Sequence, residues 1–232
     1  MATFRNESFQ RLVEGALKQT ACVLDDAGID FCLIGSVSAW VRGAPESSHD
    51  LDFGIRPEDT LKTAAALEAA GYHIEIPPED WLFKAWIGAP HDEGSIMVDF
   101  IYNPSGLVID DDLLCRAKIM DVLAHKMRVL DVTDLMTMKL LSLREQHLNY
   151  TSCISTVRSV REQIDWTVLR SRTSHSPYAA AFFTMCEGLN IAPLPDVMAP
   201  VSRIIENIDP FVVVDGPRSE MVKMYRRSPL IG

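Results

Sequence analysis

Two short strand-like segments, joined by a turn-rich stretch, constrain the fold of this chain more than any other feature. Residues 31–34 are all apolar and run into the pair at 35–36, Gly-Ser, which is typical of a buried strand that ends in a tight turn. Residues 50–55 alternate large apolar side chains with aspartate or glycine. Side chains at i and i+2 of a strand point to the same face, so Asp50 and Asp52 should project side by side, away from the apolar face.

The paired carboxylates indicate a metal site. Two adjacent carboxylates repel each other, and near a core both are costly to ionise. A cation between them removes both costs, and oxygen ligands of this kind suit Mg²⁺ or Mn²⁺. A third carboxylate, Asp99, interrupts the apolar residues 96–102. If the two strands are neighbours, Asp50, Asp52 and Asp99 converge, which is enough to hold one or two divalent ions for phosphoryl or nucleotidyl transfer.

These residues resemble a known family. The similarity is to the nucleotidyltransferase fold of the DNA polymerase β superfamily, and within it to the AbiEii and MenT type toxins of bacterial toxin–antitoxin systems. It covers roughly residues 8–170, and its motifs are Gly35-Ser36, Gly43-Ala44-Pro45, Ser48-x-Asp50-Leu51-Asp52 and Val98-Asp99-Phe100.

The resemblance implies an enzyme that moves a nucleoside monophosphate from an NTP to a hydroxyl and releases pyrophosphate. It implies an RNA acceptor, in particular a tRNA 3′ end, and a cognate antitoxin as partner. Relatives usually carry an arginine shortly before the Ser-x-Asp-x-Asp motif, where this chain has Glu46. Arg42 is the candidate to replace that phosphate contact.

The segment around Gly35 is expected to bind the triphosphate. A glycine at a strand end lets the backbone approach a ligand closely, and Ser36 and Ser48 add hydroxyls. The alternative is an ordinary strand-to-helix turn, with Ser48 only capping the turn into its strand. Beside the paired carboxylates, phosphate binding is the favoured interpretation.

Further candidates lie in the C-terminal half. Residues 134–148 read as a helix that is apolar almost all round, interrupted by Lys139. A buried lysine needs an anionic partner, which a nucleotide phosphate would supply; otherwise its stem is buried while its amine reaches solvent. A Lys-Leu pair on this helix belongs to the active site of the resembling toxins, and Lys139-Leu140 matches it. Asp165 is the nearest counterpart of a further aspartate of relatives, or else a surface residue that pairs with Arg161.

Composition limits the partners and the compartment. The formal net charge is −10 over 232 residues, so any RNA must be held by local basic patches. A small basic patch is formed by Arg170, Arg172 and His175, and the basic tail at 223–227 either contacts RNA or is a solvated terminus. The five cysteines are scattered, odd in number and without C-x-x-C spacing, which predicts free thiols and a cytoplasmic chain. The polar start predicts no signal peptide, and no apolar run is long enough to span a bilayer.

The predicted fold class is α/β (α+β), with a small mixed β-sheet flanked by helices and a helical C-terminal domain. The predicted domains are residues 1–128, which carry the catalytic residues, and residues 129–232, with the active site in the cleft between them. The acidic run at 110–112 is expected to cap a helix over 113–120.

Two other functions stay open. The acidic composition fits a protein or small-molecule acceptor, including an antibiotic hydroxyl, as well as it fits RNA. A catalytically degenerate module that binds a partner is the alternative from another class, and in a third interpretation the carboxylates are structural.

Overall fold

The architecture is a seven-stranded mixed sheet with helices on both faces. The computed structural model describes residues 13–46, 51–105 and 107–193, together with Glu7 and Gln10. The strands are β1 (Phe31–Leu33), β2 (Leu51–Ile55), β3 (His73–Glu75), β4 (Leu82–Ile87), β5 (Ile96–Ile101), β6 (Lys118–Val122) and β7 (His125–Val129). Their order across the sheet is β3-β4-β5-β2-β1-β7-β6. The pairs β2–β5 and β1–β7 are parallel and the remaining pairs antiparallel, so the predicted mixed sheet is confirmed.

Eight α-helices lie within the described residues. They are α1 (Lys18–Asp26), α2 (Gly35–Val41), α3 (Thr60–Ala69), α4 (Asp111–Arg116), α5 (Val132–Leu141), α6 (Tyr150–Val160), α7 (Trp166–Arg172) and α8 (Pro177–Gly188). A π-helical turn at Val13–Leu17 and 3-10 turns at Pro57–Asp59 and Arg161–Gln163 accompany them. In the described part of the chain, every helix is too short or too polar to cross a bilayer.

Strand alternation separates two apolar cores. Phe53 of β2 and Phe100 of β5 pack on one face with ring centroids 5.7 Å apart, together with side chains of β1 and α1. Cys32 faces the opposite core, which contains buried side chains of α4 to α8. Since i and i+2 share a face, Asp52 and Asp99 lie on the face covered by these C-terminal helices.

Two sequence-predicted helices have different bounds. The predicted helix over 113–120 ends at Arg116, because residues 118–129 form the β6–β7 hairpin. Asp110 does cap α4, accepting a hydrogen bond from the Leu113 amide at 2.8 Å. The helix predicted over 134–148 spans Val132–Leu141, and its cap is Asp131, whose carboxylate accepts from the Thr133 amide.

The predicted domain boundary lies between residues 128 and 129. Residues up to Ala192 belong to one compact unit. The expected boundary between residues 128 and 129 falls inside this unit, at the junction of β7 and the helices that pack on the sheet. The two-domain division at that point stays a prediction.

Candidate active site

Asp52 and Asp99 lie opposite each other on neighbouring strands. β2 and β5 are parallel, and their register places Asp52 against Asp99. Asp99 is 7% exposed, whereas Asp52 is half-buried and lines an open cleft. The predicted convergence of these two carboxylates therefore has a geometric basis. Asp50 and Ser48 lie outside the described residues, so their roles stay predictions.

Gly35 is shaped for the carboxylate of Asp52. Its φ of +64° is in the left-handed region, and a Cβ built on it would lie 1.8 Å from Asp52 Oδ2. The neighbouring Ile34 amide donates to the Asp52 carbonyl oxygen at 3.0 Å, which fixes the two chain segments together. Only a glycine leaves room for the carboxylate here, which gives the Gly-Ser turn a specific structural reason.

Lys84 of β4 completes a row of charged side chains. β4 is antiparallel to β5, and its register places Lys84 opposite Asp99. Lys84 Nζ lies 2.9 Å from Asp99 Oδ1 and donates to Met97 Sδ at 3.3 Å. Lys84 was not among the predicted site residues, although it interrupts the apolar strand Leu82–Ile87 as visibly as Asp99 interrupts its own.

The Ser36 hydroxyl lies at the start of α2. Its Oγ is buried and has no hydrogen-bond partner among the described residues. By contrast, Ser38 Oγ donates to the Gly35 carbonyl oxygen at 2.9 Å. A buried hydroxyl without a partner is costly, which is consistent with a ligand contact at Ser36.

Lys139 of α5 faces the carboxylate-bearing strands across a cleft of about 400 Å³. The cleft is lined by residues of the sheet, of α5 and of the loop that follows β5. Among them are Gly35, Asp52, Trp81, Lys139, Ser142 and Arg144. Lys139 is half-buried, which is compatible both with an amine that meets a phosphate and with an amine that reaches solvent. The structure brings together Gly35, Asp52 and Lys139 as predicted candidates of one site.

Two smaller cavities adjoin this cleft. One of about 150 Å³ shares Lys139 and is lined by Ser36, Glu46 and hydroxyl side chains of α6. The other, of about 320 Å³, shares Ser105 and Arg144 and is also lined by His175 and Tyr178. Arg144 donates from Nη1 to the carbonyl oxygens of Leu141 and Leu143, which anchors its guanidinium at the junction of the cleft and the larger of these cavities.

Two predicted nucleotide-binding residues have other contacts. Arg42 is 8% exposed, donates from Nη2 to the Val129 carbonyl oxygen at 2.8 Å, and has a pKa lowered by burial. Asp165 caps α7, where its carboxylate accepts from the Val168 amide at 2.9 Å. Neither residue lines the cleft. The suggested pairing of Asp165 with Arg161 is wrong, because Arg161 pairs with Glu162.

The predicted basic patch is also different in the structure. Arg170 pairs with Glu187 at 2.8 Å and lies over the Phe183 ring, and Arg172 pairs with the buried Asp134. Both arginines therefore hold helices together. Lys139 and Arg144 line the cleft, Arg144 and His175 line the adjoining 320 Å³ cavity, and Arg144 had no distinguishing signal in the sequence. The carboxylates predicted to hold metal reduce to Asp52 and Asp99 in the described chain, where no group of three or more acidic, His or Cys residues is arranged to hold a metal ion.

Comparisons with known proteins identify one family. A family model described as a nucleotidyl transferase of unknown function (DUF2204) matches residues 14–180. No curated protein sequence matches this chain.

Several solved structures are similar at low identity. A solution structure of the antibiotic-resistance factor ANT(2'')-Ia is 15% identical, with 74% of this chain and 95% of that chain covered and a TM-score of 0.47. The lincomycin-bound lincosamide antibiotic adenylyltransferase LnuA is 17% identical, with coverage of 64% and 98% and a TM-score of 0.45. JHP933 from Helicobacter pylori is 15% identical, with coverage of 72% and 73% and a TM-score of 0.47.

Proposed function

Because this chain belongs to the DUF2204 family of nucleotidyl transferases, we propose that it transfers a nucleoside monophosphate from an NTP to the 3′ hydroxyl of an RNA. The observation that carries this proposal is the arrangement of Gly35, Asp52 and Asp99. Asp52 lines the cleft, its neighbour across β2 and β5 is the buried Asp99, and the missing side chain of Gly35 makes room for the Asp52 carboxylate. Pyrophosphate would be the leaving group.

Asp50, Asp52 and Asp99 are the proposed ligands for Mg²⁺ or Mn²⁺. The donor set fits a hard cation, because the ligands are carboxylate oxygens. The Asp52 carboxylate occupies the space that a side chain at residue 35 would fill. A bound cation would neutralise charge on the phosphates during transfer. Gly35, Ser36 and Ser48 would bind the triphosphate. Arg42 and Asp165 stay proposed nucleotide contacts, although their described interactions lie elsewhere.

Lys139 would stabilise negative charge on the transferred group. Its position between the cleft and the hydroxyl-lined cavity allows the ammonium to approach phosphate oxygens from the side opposite Asp52. A fixed cation aimed at developing charge is a large contributor to catalysis. Asp99 would orient the attacking hydroxyl. In-line displacement then depends on positioning and charge neutralisation.

The charge around the cleft supports an anionic acceptor. The chain carries a net charge of −10, yet the cleft and the adjoining 320 Å³ cavity are lined by Lys139, Arg144 and His175, with Asp52 as their acidic lining residue. A phosphodiester chain fits this lining better than a polycation does.

The tRNA 3′ end, the role as a toxin and a cognate antitoxin are proposed on the motif resemblance. A cytoplasmic location is proposed because none of the five cysteines forms a disulfide.

The test is incubation of the purified chain with each α-labelled NTP, Mg²⁺ and total cell RNA. We expect label in RNA of tRNA size, and loss of that label with Asp50→Ala/Asp52→Ala and with Asp52→Asn. Label that persists in these variants would contradict the assigned site. Nucleotide binding that is independent of metal, without any transfer, would favour the degenerate binding module.

A second candidate function is transfer to a protein or to a small molecule such as an antibiotic. The acidic overall charge favours it, because a net charge of −10 opposes the approach of RNA. In the same assay, label on protein, or on an added aminoglycoside or lincosamide, with RNA unlabelled, would establish this alternative.

A further inference from the structure

Lys84, Asp99 and Asp52 form a continuous row across three neighbouring strands. The register pairs Lys84 with Asp99 across β4 and β5, and Asp99 with Asp52 across β5 and β2. Residues opposite each other on adjacent strands share a face, so all three side chains lie on the face that carries the cleft. The positive member of this row stands at the far end from Asp52.

The ion pair of Lys84 with Asp99 is mostly enclosed. The Lys84 side chain is 22% exposed and that of Asp99 is 10% exposed, with Nζ and Oδ1 at 2.9 Å. A buried carboxylate is strongly stabilised by a hydrogen-bonded cation, and removal of that cation leaves an uncompensated charge. The charge of Asp99 is therefore compensated by the protein itself.

This compensation bears on the metal content of the proposed centre. In a two-ion centre the cations lie about 3.5–4 Å apart and need carboxylates on both. Asp99 is the described carboxylate that would serve a second ion, and the Lys84 ammonium already occupies one side of it. An additional divalent cation on Asp99 would be close to a like charge in a partly enclosed site, which disfavours its binding.

We propose that Lys84 takes the place of a second divalent ion beside Asp99, so that this chain holds a single divalent ion together with its bound nucleotide. Lys84 is then a positioning residue: it holds the Asp99 carboxylate and supplies the positive charge at that end of the site. This inference rests on the proposed nucleotidyl transfer at the same residues.

The test counts bound Mn²⁺ per chain by electron paramagnetic resonance, with a non-hydrolysable NTP at stoichiometric concentration. We expect one ion for the wild type and for Lys84→Arg, and two for Lys84→Met, which keeps the stem and removes the charge. Lys84→Met/Asp99→Asn should return to one ion, since the carboxylate is gone. Lys118→Met, which changes an exposed lysine at the start of β6, is the matched control and should bind one.

Two results would overturn the proposal. One is two bound ions in the wild type, and the other is one bound ion in Lys84→Met while that variant keeps its thermal transition. If Lys84→Met fails to fold, the Lys84→Met/Asp99→Asn variant, which buries no unpaired charge, should recover the transition and bind one ion. No bound Mn²⁺ in any variant would contradict the metal-dependent function itself, which separates the two failures.

Discussion

The candidate site depends on the absence of a side chain at Gly35, where a Cβ would overlap the Asp52 carboxylate. The φ of Gly35 and its proximity to the Asp52 carboxylate are separate constraints, and either alone would select glycine. Gly28 has a similar φ of +59°, but nothing lies within 4 Å of the position that a Cβ would occupy there. A substitution at Gly28 therefore measures the cost of the backbone conformation alone, without the clash.

Gly35→Ala should therefore remove activity beyond what its effect on stability explains. We expect nucleotide transfer to fall by at least about 100-fold, because Asp52 must move by an ångström or more. Gly28→Ala should cost roughly 1–2 kcal/mol of stability from the left-handed backbone and leave transfer per folded molecule unchanged. Activity normalised to the folded fraction from urea denaturation measures this difference. Equal activity losses in both variants would contradict the clash argument.

Buried thiols should make folding stability depend on alkaline pH. Burial raises the pKa of Cys32 from 9.0 to about 12 and that of Cys186 to about 11, and it also raises the pKa of Cys153. The unfolded chain releases these protons as the pH passes 9, whereas the folded chain keeps them. The stability is therefore fully present below pH 9 and declines between pH 9 and about 12.

Urea midpoints between pH 8 and 10.5 would measure that decline, and Cys32→Ala should make it shallower. Iodoacetamide at pH 8 should label the exposed Cys115 of the native protein and spare Cys32 and Cys186. Rapid labelling of Cys32 under native conditions would contradict its place in the core.

Helix α5 positions Lys139, and a buried carboxylate holds that helix. Asp134 is 1% exposed and accepts hydrogen bonds from Arg116 of α4, at 2.9 and 3.2 Å, and from Arg172 of α7. The pair with Asp134 raises the pKa of the Arg116 guanidinium. One carboxylate thus joins three helices on the face of the sheet that carries the cleft.

Asp134→Asn should destabilise the protein by about 2–4 kcal/mol, because two charge-assisted contacts in a buried place are lost together. Asp92→Asn, in an exposed turn, is the control and should change stability by less than about 0.5 kcal/mol. Urea denaturation measures both. A cost below about 1 kcal/mol for Asp134→Asn would show that apolar packing alone holds α5.

Over the whole molecule, the distribution of charge matters more than its sum. The chain is acidic, but Arg144 lies where the main cleft meets the 320 Å³ cavity, and two backbone carbonyls hold one nitrogen of its guanidinium. A guanidinium held in this way still has donors for a phosphate.

Arg144→Ala should raise the KM for RNA about 10-fold or more and leave NTP binding unchanged. The slope of log affinity against log salt should fall by roughly 0.7, the value for one lost contact to a single-stranded phosphate. Arg158→Ala, on the exposed face of α6, is the matched control. An unchanged salt slope in Arg144→Ala would remove the support for an RNA acceptor at this cavity.

Local periodicity was enough to predict several parts of this protein. The alternation in residues 50–55 predicted a strand with Asp52 on the face away from Phe53, the apolar residues around Asp99 predicted a second strand, and both strands are present. Side-chain direction follows from the two-residue period of a strand, so the sequence determines it without any tertiary contact. Membership of a nucleotidyl transferase family was likewise visible in short motifs.

Other parts depended on contacts between distant segments. The β6–β7 hairpin turns at Leu123 and Ala124, which have φ values of +52° and +63° without the glycine or asparagine that marks such turns. The pairing of Lys84 with Asp99 requires the register of β4 against β5, and the position of Arg144 requires the packing of α5 on the sheet. A sequence states which side chains share a face, but strand order, register and helix packing decide which of them meet, because they arise from burial of the whole apolar surface.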